Sequence, residues 1–213
     1  MKKTLKNLLL PFTFGVALCA PQAYAQSDST NTFLTADYSL EDRFHGGEHE
    51  VSTGAGVLFG PFLTTRGRPT VDYAFGNAQL GFMINDVCGG GILRGNFEVV
   101  PEAFGSGIFG GHTGTYIAGG TVWFRYNFVQ PRARIIPYFQ LGGGWTFMDI
   151  DHRYDGENYN FNLGATAGLR YFIKPQVSIN LEYRYQHISN ADLWQHNLGL
   201  NSDGPVLGVS WFF

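Results

Sequence analysis

A histidine and a serine stand two residues apart at the end of the stretch "QVSINLEYRYQHIS", at His187 and Ser189. Val177, Ile179, Leu181, Tyr183 and Tyr185 precede them at every second position, and the residues between are polar. A period of two is that of a strand with two unlike faces. Residues i and i+2 share a face, so the imidazole can take the hydroxyl proton as the serine attacks a carbonyl carbon. That is the base and nucleophile of a serine hydrolase. An H-x-S pair is also common in strands that do no chemistry, so the pair defines a reaction without establishing it. The elements that hold it must explain why an apolar face ends in two polar side chains.

The chain opens with an address. Lys2, Lys3 and Lys6 precede an apolar run from Leu8 to Ala20, which ends near Ala23-Tyr24-Ala25. This is the layout of a secretory signal peptide over residues 1–25, cleaved after Ala25. The domain is then 26–213, with an excess of acids over bases that gives nucleic acid no basic patch to bind. Cys19 leaves with the leader and Cys88 is expected to stand alone. Glycine makes up 29 of 213 residues, aromatics 16% and charged residues only 15%, and Lys174 is the one lysine after the leader. No apolar run past the leader is long enough for a membrane helix. An exported, helix-poor chain rich in Gly and aromatics is expected to be all-β, a barrel in an outer membrane.

Alternation places strands at about 48–59, 70–84, 91–103, 114–128, 134–148, 158–173, 175–190 and 203–213, with a tail before them that has room for an extra short strand at 32–40. Eight strands suit an antiparallel transmembrane β-barrel. The connections 85–90, 129–133 and 174–175 read as short periplasmic turns, and 60–69, 104–113, 149–157 and 191–202 as longer outer loops. On the polar face Arg94, Glu98, Arg125, Arg170, Glu182 and Arg184 have the mix of signs of a paired interior, and so narrow a barrel leaves no wide channel. A soluble β-sandwich would alternate too, but its polar face meets water and is usually richer in lysine. The C-terminal "SWFF" puts Trp211 and Phe213 on the lipid face and is similar to the signal read by the outer-membrane assembly machinery. "HGGEH" at 45–49 lacks the helical H-E-x-x-H spacing, and neither metal nor cofactor is expected.

In this frame the strand 175–190 rises outward, and His187 and Ser189 face lipid near its top, where polar groups are tolerated. "His187-Ile-Ser189-Asn190-Ala191" resembles the H-x-S-N-A motif of the lipid A 3-O-deacylase (PagL-type) family, also called acyloxyacyl hydrolases; the close match covers about 183–213. The resemblance implies an eight-stranded outer-membrane esterase acting on lipid A of lipopolysaccharide. Ser189 would be the nucleophile, His187 the base, and Asn190 an oxyanion donor with a backbone N–H downstream. The family's acid, in a context like N-x-G-x-E-S, falls on Asn201 of "NLGLNS", a neutral residue. An amide can orient an imidazole, as in Cys-His-Asn proteases, but brings no full charge. The outer-membrane phospholipase A family resembles that case with a Ser-His-Asn site. Asp192 and Asp203 are the nearby acids. The rival expectations are a phospholipid acyl hydrolase on the same barrel and a non-catalytic structural barrel, and the lipid-facing aromatics are compatible with a homodimer.

Overall fold

The computed structural model describes residues 40–60, 71–111, 114–151 and 157–213. The leader, its cleavage point, most of the tail with its extra strand, and nearly all of loop 60–69 lie outside the described residues. A 3₁₀ turn, Leu40–Phe44, is followed by eight strands: β1 His49–Leu58, β2 Asp72–Met83, β3 Asn96–Gly110, β4 Gly114–Asn127, β5 Ile135–Ile150, β6 Tyr159–Lys174, β7 Val177–Ser189 and β8 Leu200–Phe212. Each pairs antiparallel with its neighbours, and β8 returns to β1 to close the barrel, with Val51 opposite Trp211. Closure leaves no sheet edge unpaired, which is what allows strands to cross a bilayer. The β-sandwich reading is thereby excluded.

The two-residue period explains which side chains meet inside. Leu141, Leu163, Leu181 and Leu207 point outward and are exposed, forming an apolar girdle. The alternate residues fill the lumen, where Arg125 meets Glu50 and Glu98, each at 3.3 Å, and Arg170 meets Glu50 at 2.6 Å. Arg184 grips Glu102 with both terminal nitrogens, at 2.8 and 2.7 Å, and Glu182 lies 3.4 Å away. Arg94, expected among these, instead sits below the lumen, paired with Glu41 of the 3₁₀ turn and donating to Val129 O at 2.8 Å. Its neighbourhood is a connection rather than a strand, so the alternation that assigned it inward does not hold there.

The charged layer is sandwiched between two apolar ones. Above it, Tyr73, Phe75, Phe104, Ile188 and Leu200 pack together; below it, Phe44, Phe172 and Phe212 do so. Phe44 comes from the 3₁₀ turn, and the guanidinium of Arg170 lies 5.7 Å from its ring. The lumen is packed rather than open, as expected for eight strands.

Two connections differ from the sequence reading. β3 starts at Asn96, later than expected, and runs on to Gly110 through a segment taken for a loop. Its glycines look like turn residues, yet Phe104 turns inward to stack on Phe75 and keeps the strand in register. The outer loop there shrinks to 111–113, while the lower connection 84–95 is long and holds a second 3₁₀ turn, Gly91–Leu93. In "HGGEH", His45 lies between Asp42 and Asp86, and His49 packs on the rings of Phe82 and Phe213. Cys88 bridges backbone to backbone with Gly95 in this connection, and the expectation that rests on Cys19 falls outside the described residues.

Candidate active site

β7 sets the site. Its inward residues Arg184, Gln186 and Ile188 are buried in the lumen, which locks the strand's rotation and forces Tyr183, Tyr185, His187 and Ser189 onto the outer surface. His187 and Ser189 are half-buried there, as the alternation indicated. β8 begins three residues earlier than the sequence suggested, so Asn201 belongs to a strand and pairs directly across from His187. The next outward pair is Tyr185 with Asp203. On the other flank, β6 places Leu163 beside His187 and Phe161 beside Ser189.

The register brings His187 and Asn201 into contact. His187 Nδ1 lies 2.5 Å from Asn201 Oδ1, and the Tyr185 hydroxyl donates to the same oxygen at 3.2 Å. An amide oxygen can only accept, so the ring must carry its proton on Nδ1. Nε2 then has a free lone pair, as a general base requires. Ser189 Oγ makes no hydrogen bond among the described residues. Two residues along a strand span about 6.7 Å, and catalytic hydrogen bonds often close only around substrate. Asn201 is only 7% exposed despite its outward position.

The turn after Ser189 is unusual. Ala191, Asp192 and His196 have φ of 54°, 60° and 65°, the left-handed region, joined by Gly199 at 66°. A β-carbon in that region costs about 1–2 kcal/mol per residue, and such strain gathers at functional sites. Side chains hold the turn in place. Asn190 is fully buried; its Oδ1 accepts from Asp192 N at 3.0 Å and its Nδ2 donates to His196 O at 3.2 Å. Asn197 accepts from Asn190 N at 3.1 Å and donates to Asp192 Oδ1 at 2.7 Å. Asn197 opens the stretch "NLGLNS" matched to the family context, but its part in the turn shows only once the turn closes and its bonds form. Asp192 is therefore committed to the turn. Ala191 N–H has no acceptor among the described residues and follows Ser189 by two positions. Trp194 packs edge-on against Tyr159 of β6, 6.5 Å between ring centres.

A closed antiparallel barrel with an apolar girdle and a packed, charge-paired lumen is an outer-membrane β-barrel. Residues 93–210 match the family model of lipid A 3-O-deacylase (PagL). That is more than half of the chain, and the chain belongs to this family. In fold it is similar to the crystal structure of the outer membrane enzyme PagL, with a TM-score of 0.52, 19% identity, and coverage of 76% of this chain and 98% of that one. It is likewise similar to Neisserial surface protein A (NspA), with a TM-score of 0.58, 15% identity, and coverage of 79% and 98%. No curated protein matches the chain.

Proposed function

We propose that this chain is an outer-membrane serine esterase that removes an ester-linked acyl chain from lipid A. The observation that carries the reading is the contact of His187 Nδ1 with Asn201 Oδ1 on the outward face, two residues below Ser189. It prepares the tautomer that a base needs, on the surface that meets lipid.

In this reading Ser189 Oγ attacks the ester carbonyl and its proton passes to His187 Nε2. The negative charge gathers on the carbonyl oxygen, where Ala191 N–H and the Asn190 side chain are the proposed donors. The Asn190 role requires its amide to turn from His196 O toward the substrate. The tetrahedral species collapses, the C–O bond to the sugar breaks, and the Nε2 proton goes to the leaving alcohol. Water, deprotonated by the same nitrogen, releases the acyl group from Ser189 as a fatty acid. Asn201 holds the ring throughout. No cofactor takes part. Export by the leader 1–25 and insertion by the assembly machinery belong to the same proposal.

The test is detergent-refolded protein incubated with purified lipid A, with products read by mass spectrometry and Ser189→Ala alongside. Loss of one acyl chain with wild type and none with the variant is the expected result. Intact lipid A, but lysophospholipid from phospholipid vesicles, moves the substrate to phospholipid. Neither product from a folded barrel refutes the esterase reading in favour of a structural barrel.

A further inference from the structure

Asp203 is the second polar residue that β8 turns outward, and it is 2% exposed. One carboxylate oxygen, Oδ2, accepts from the Tyr183 hydroxyl. The other, Oδ1, is buried without a hydrogen-bond partner. No cation pairs with Asp203 among the described residues. A carboxylate buried on the lipid side with an empty oxygen is costly, and replacing it with an apolar residue would remove the penalty.

Two residues up the same face stands Asn201. Its Oδ1 faces His187 and Tyr185, so its Nδ2 points away from them, and that nitrogen donates to nothing among the described residues. An unfilled acceptor and an unfilled donor therefore sit on neighbouring same-face positions, about 6.7 Å apart along the backbone. Both side chains rise from β8, so bringing them together calls for no change of strand register. Around His187 the other polar or titratable groups are Tyr185 and Tyr183 on β7, and Asp192 and His196 in the turn. The facing residues of β6, Phe161, Leu163 and Ala165, are apolar. Asp192 is bound by Asn197, which leaves Asp203 as the anion on this face among the described residues.

Building on the esterase reading, we propose that Asp203 is a positioning residue that supplies the negative charge Asn201 lacks, acting on His187 through the Asn201 carboxamide. Asp203 Oδ1 accepts from Asn201 Nδ2, which polarises the amide and strengthens Oδ1 as acceptor for the imidazole. The charge also stabilises the imidazolium that forms as Ser189 loses its proton. A neutral residue can then stand at 201 because the acid has moved one outward position along the strand.

The experiment compares wild type, Asp203→Asn, Asn201→Glu and the double variant as refolded barrels, with folding checked by the heat-dependent gel shift of barrels. The first readout needs no substrate. The pH midpoint of the His187 ring resonances is followed by NMR and is expected to fall in Asp203→Asn, because the charge that would favour the imidazolium is gone. The second is lipid A deacylation. Asp203→Asn should lower kcat about tenfold with KM within twofold, and shift the acid limb of the pH–rate profile the same way. Asn201→Glu in the Asp203→Asn background, which returns a charge to the ring, should restore most of the rate. An unmoved His187 midpoint in a folded Asp203→Asn barrel overturns the proposal, as does a rate loss that Asn201→Glu leaves unrepaired. If wild type deacylates nothing, the esterase reading falls, while the NMR midpoint still decides the coupling.

Discussion

Asn201→Ala is the substitution whose effect the geometry defines most closely. It removes the oxygen that accepts from His187 Nδ1 at 2.5 Å and from the Tyr185 hydroxyl at 3.2 Å. In the resting state the ring loses one hydrogen bond, worth about 1 kcal/mol net. As the ring becomes charged the same bond becomes charge-assisted, worth roughly 1.5–3 kcal/mol. The barrier rises by the difference between the two states, about 0.5–2 kcal/mol, or roughly 2- to 30-fold in rate. The upper bound is about 10⁴, the effect of holding a triad histidine in the wrong tautomer. Asn201 touches His187, the base of the proposed esterase, and not the substrate, so kcat should carry the loss while KM stays nearly constant. The assay is steady-state release of fatty acid from lipid A in mixed micelles by the refolded, gel-shifted barrel. A kcat equal to that of wild type would mean that the histidine is not oriented by Asn201, and the reasoning from register to tautomer would fall with it.

Three further outcomes follow from the packing. Glu102→Leu strands the Arg184 guanidinium with only Glu182, at 3.4 Å, and should lower stability by about 3–5 kcal/mol, read as the shift of the urea midpoint. Gly168→Ala places a methyl against the ring and hydroxyl of Tyr138, which donates to Glu182 at 2.7 Å; overpacking of about 1–3 kcal/mol should appear in the same titration. Ala191→Gly relieves a left-handed position with φ of 54° and should raise the unfolding midpoint by the equivalent of about 1 kcal/mol.

How much of this was legible depends on the distance between the residues involved. His187 and Ser189 share one strand, so their face and height followed from alternation alone. The resemblance supplied Asn201, but alternation could not place it. "NLGLNSDGP" is rich in turn formers, and only pairing with β7 draws residues 200–202 into β8. The burial of Asp203 was invisible for the same reason, since Tyr183 reaches it from the neighbouring strand. In the lumen, Arg125, Arg170 and Arg184 announced themselves as charges on a polar face. Their partner Glu50 lies in a short, weakly patterned strand and escaped notice. The 3₁₀ turn that inserts Phe44 has no period to read, so the lower apolar layer was missed.

Under the proposed esterase function, the outward address of His187 and Ser189 has a kinetic consequence. Phe161 and Leu163 flank them and the lumen behind them is filled, so among the described residues no watery vestibule leads to the pair. What governs encounter is then the share of substrate among the amphiphiles in the surrounding film, and bulk molarity has little bearing. Diluting lipid A with an inert detergent at fixed total lipid A should slow turnover in proportion to its mole fraction in the micelle. Adding more micelles of unchanged composition should leave the rate per barrel nearly constant. The barrel wall thus sets the units in which this protein's substrate concentration is to be counted.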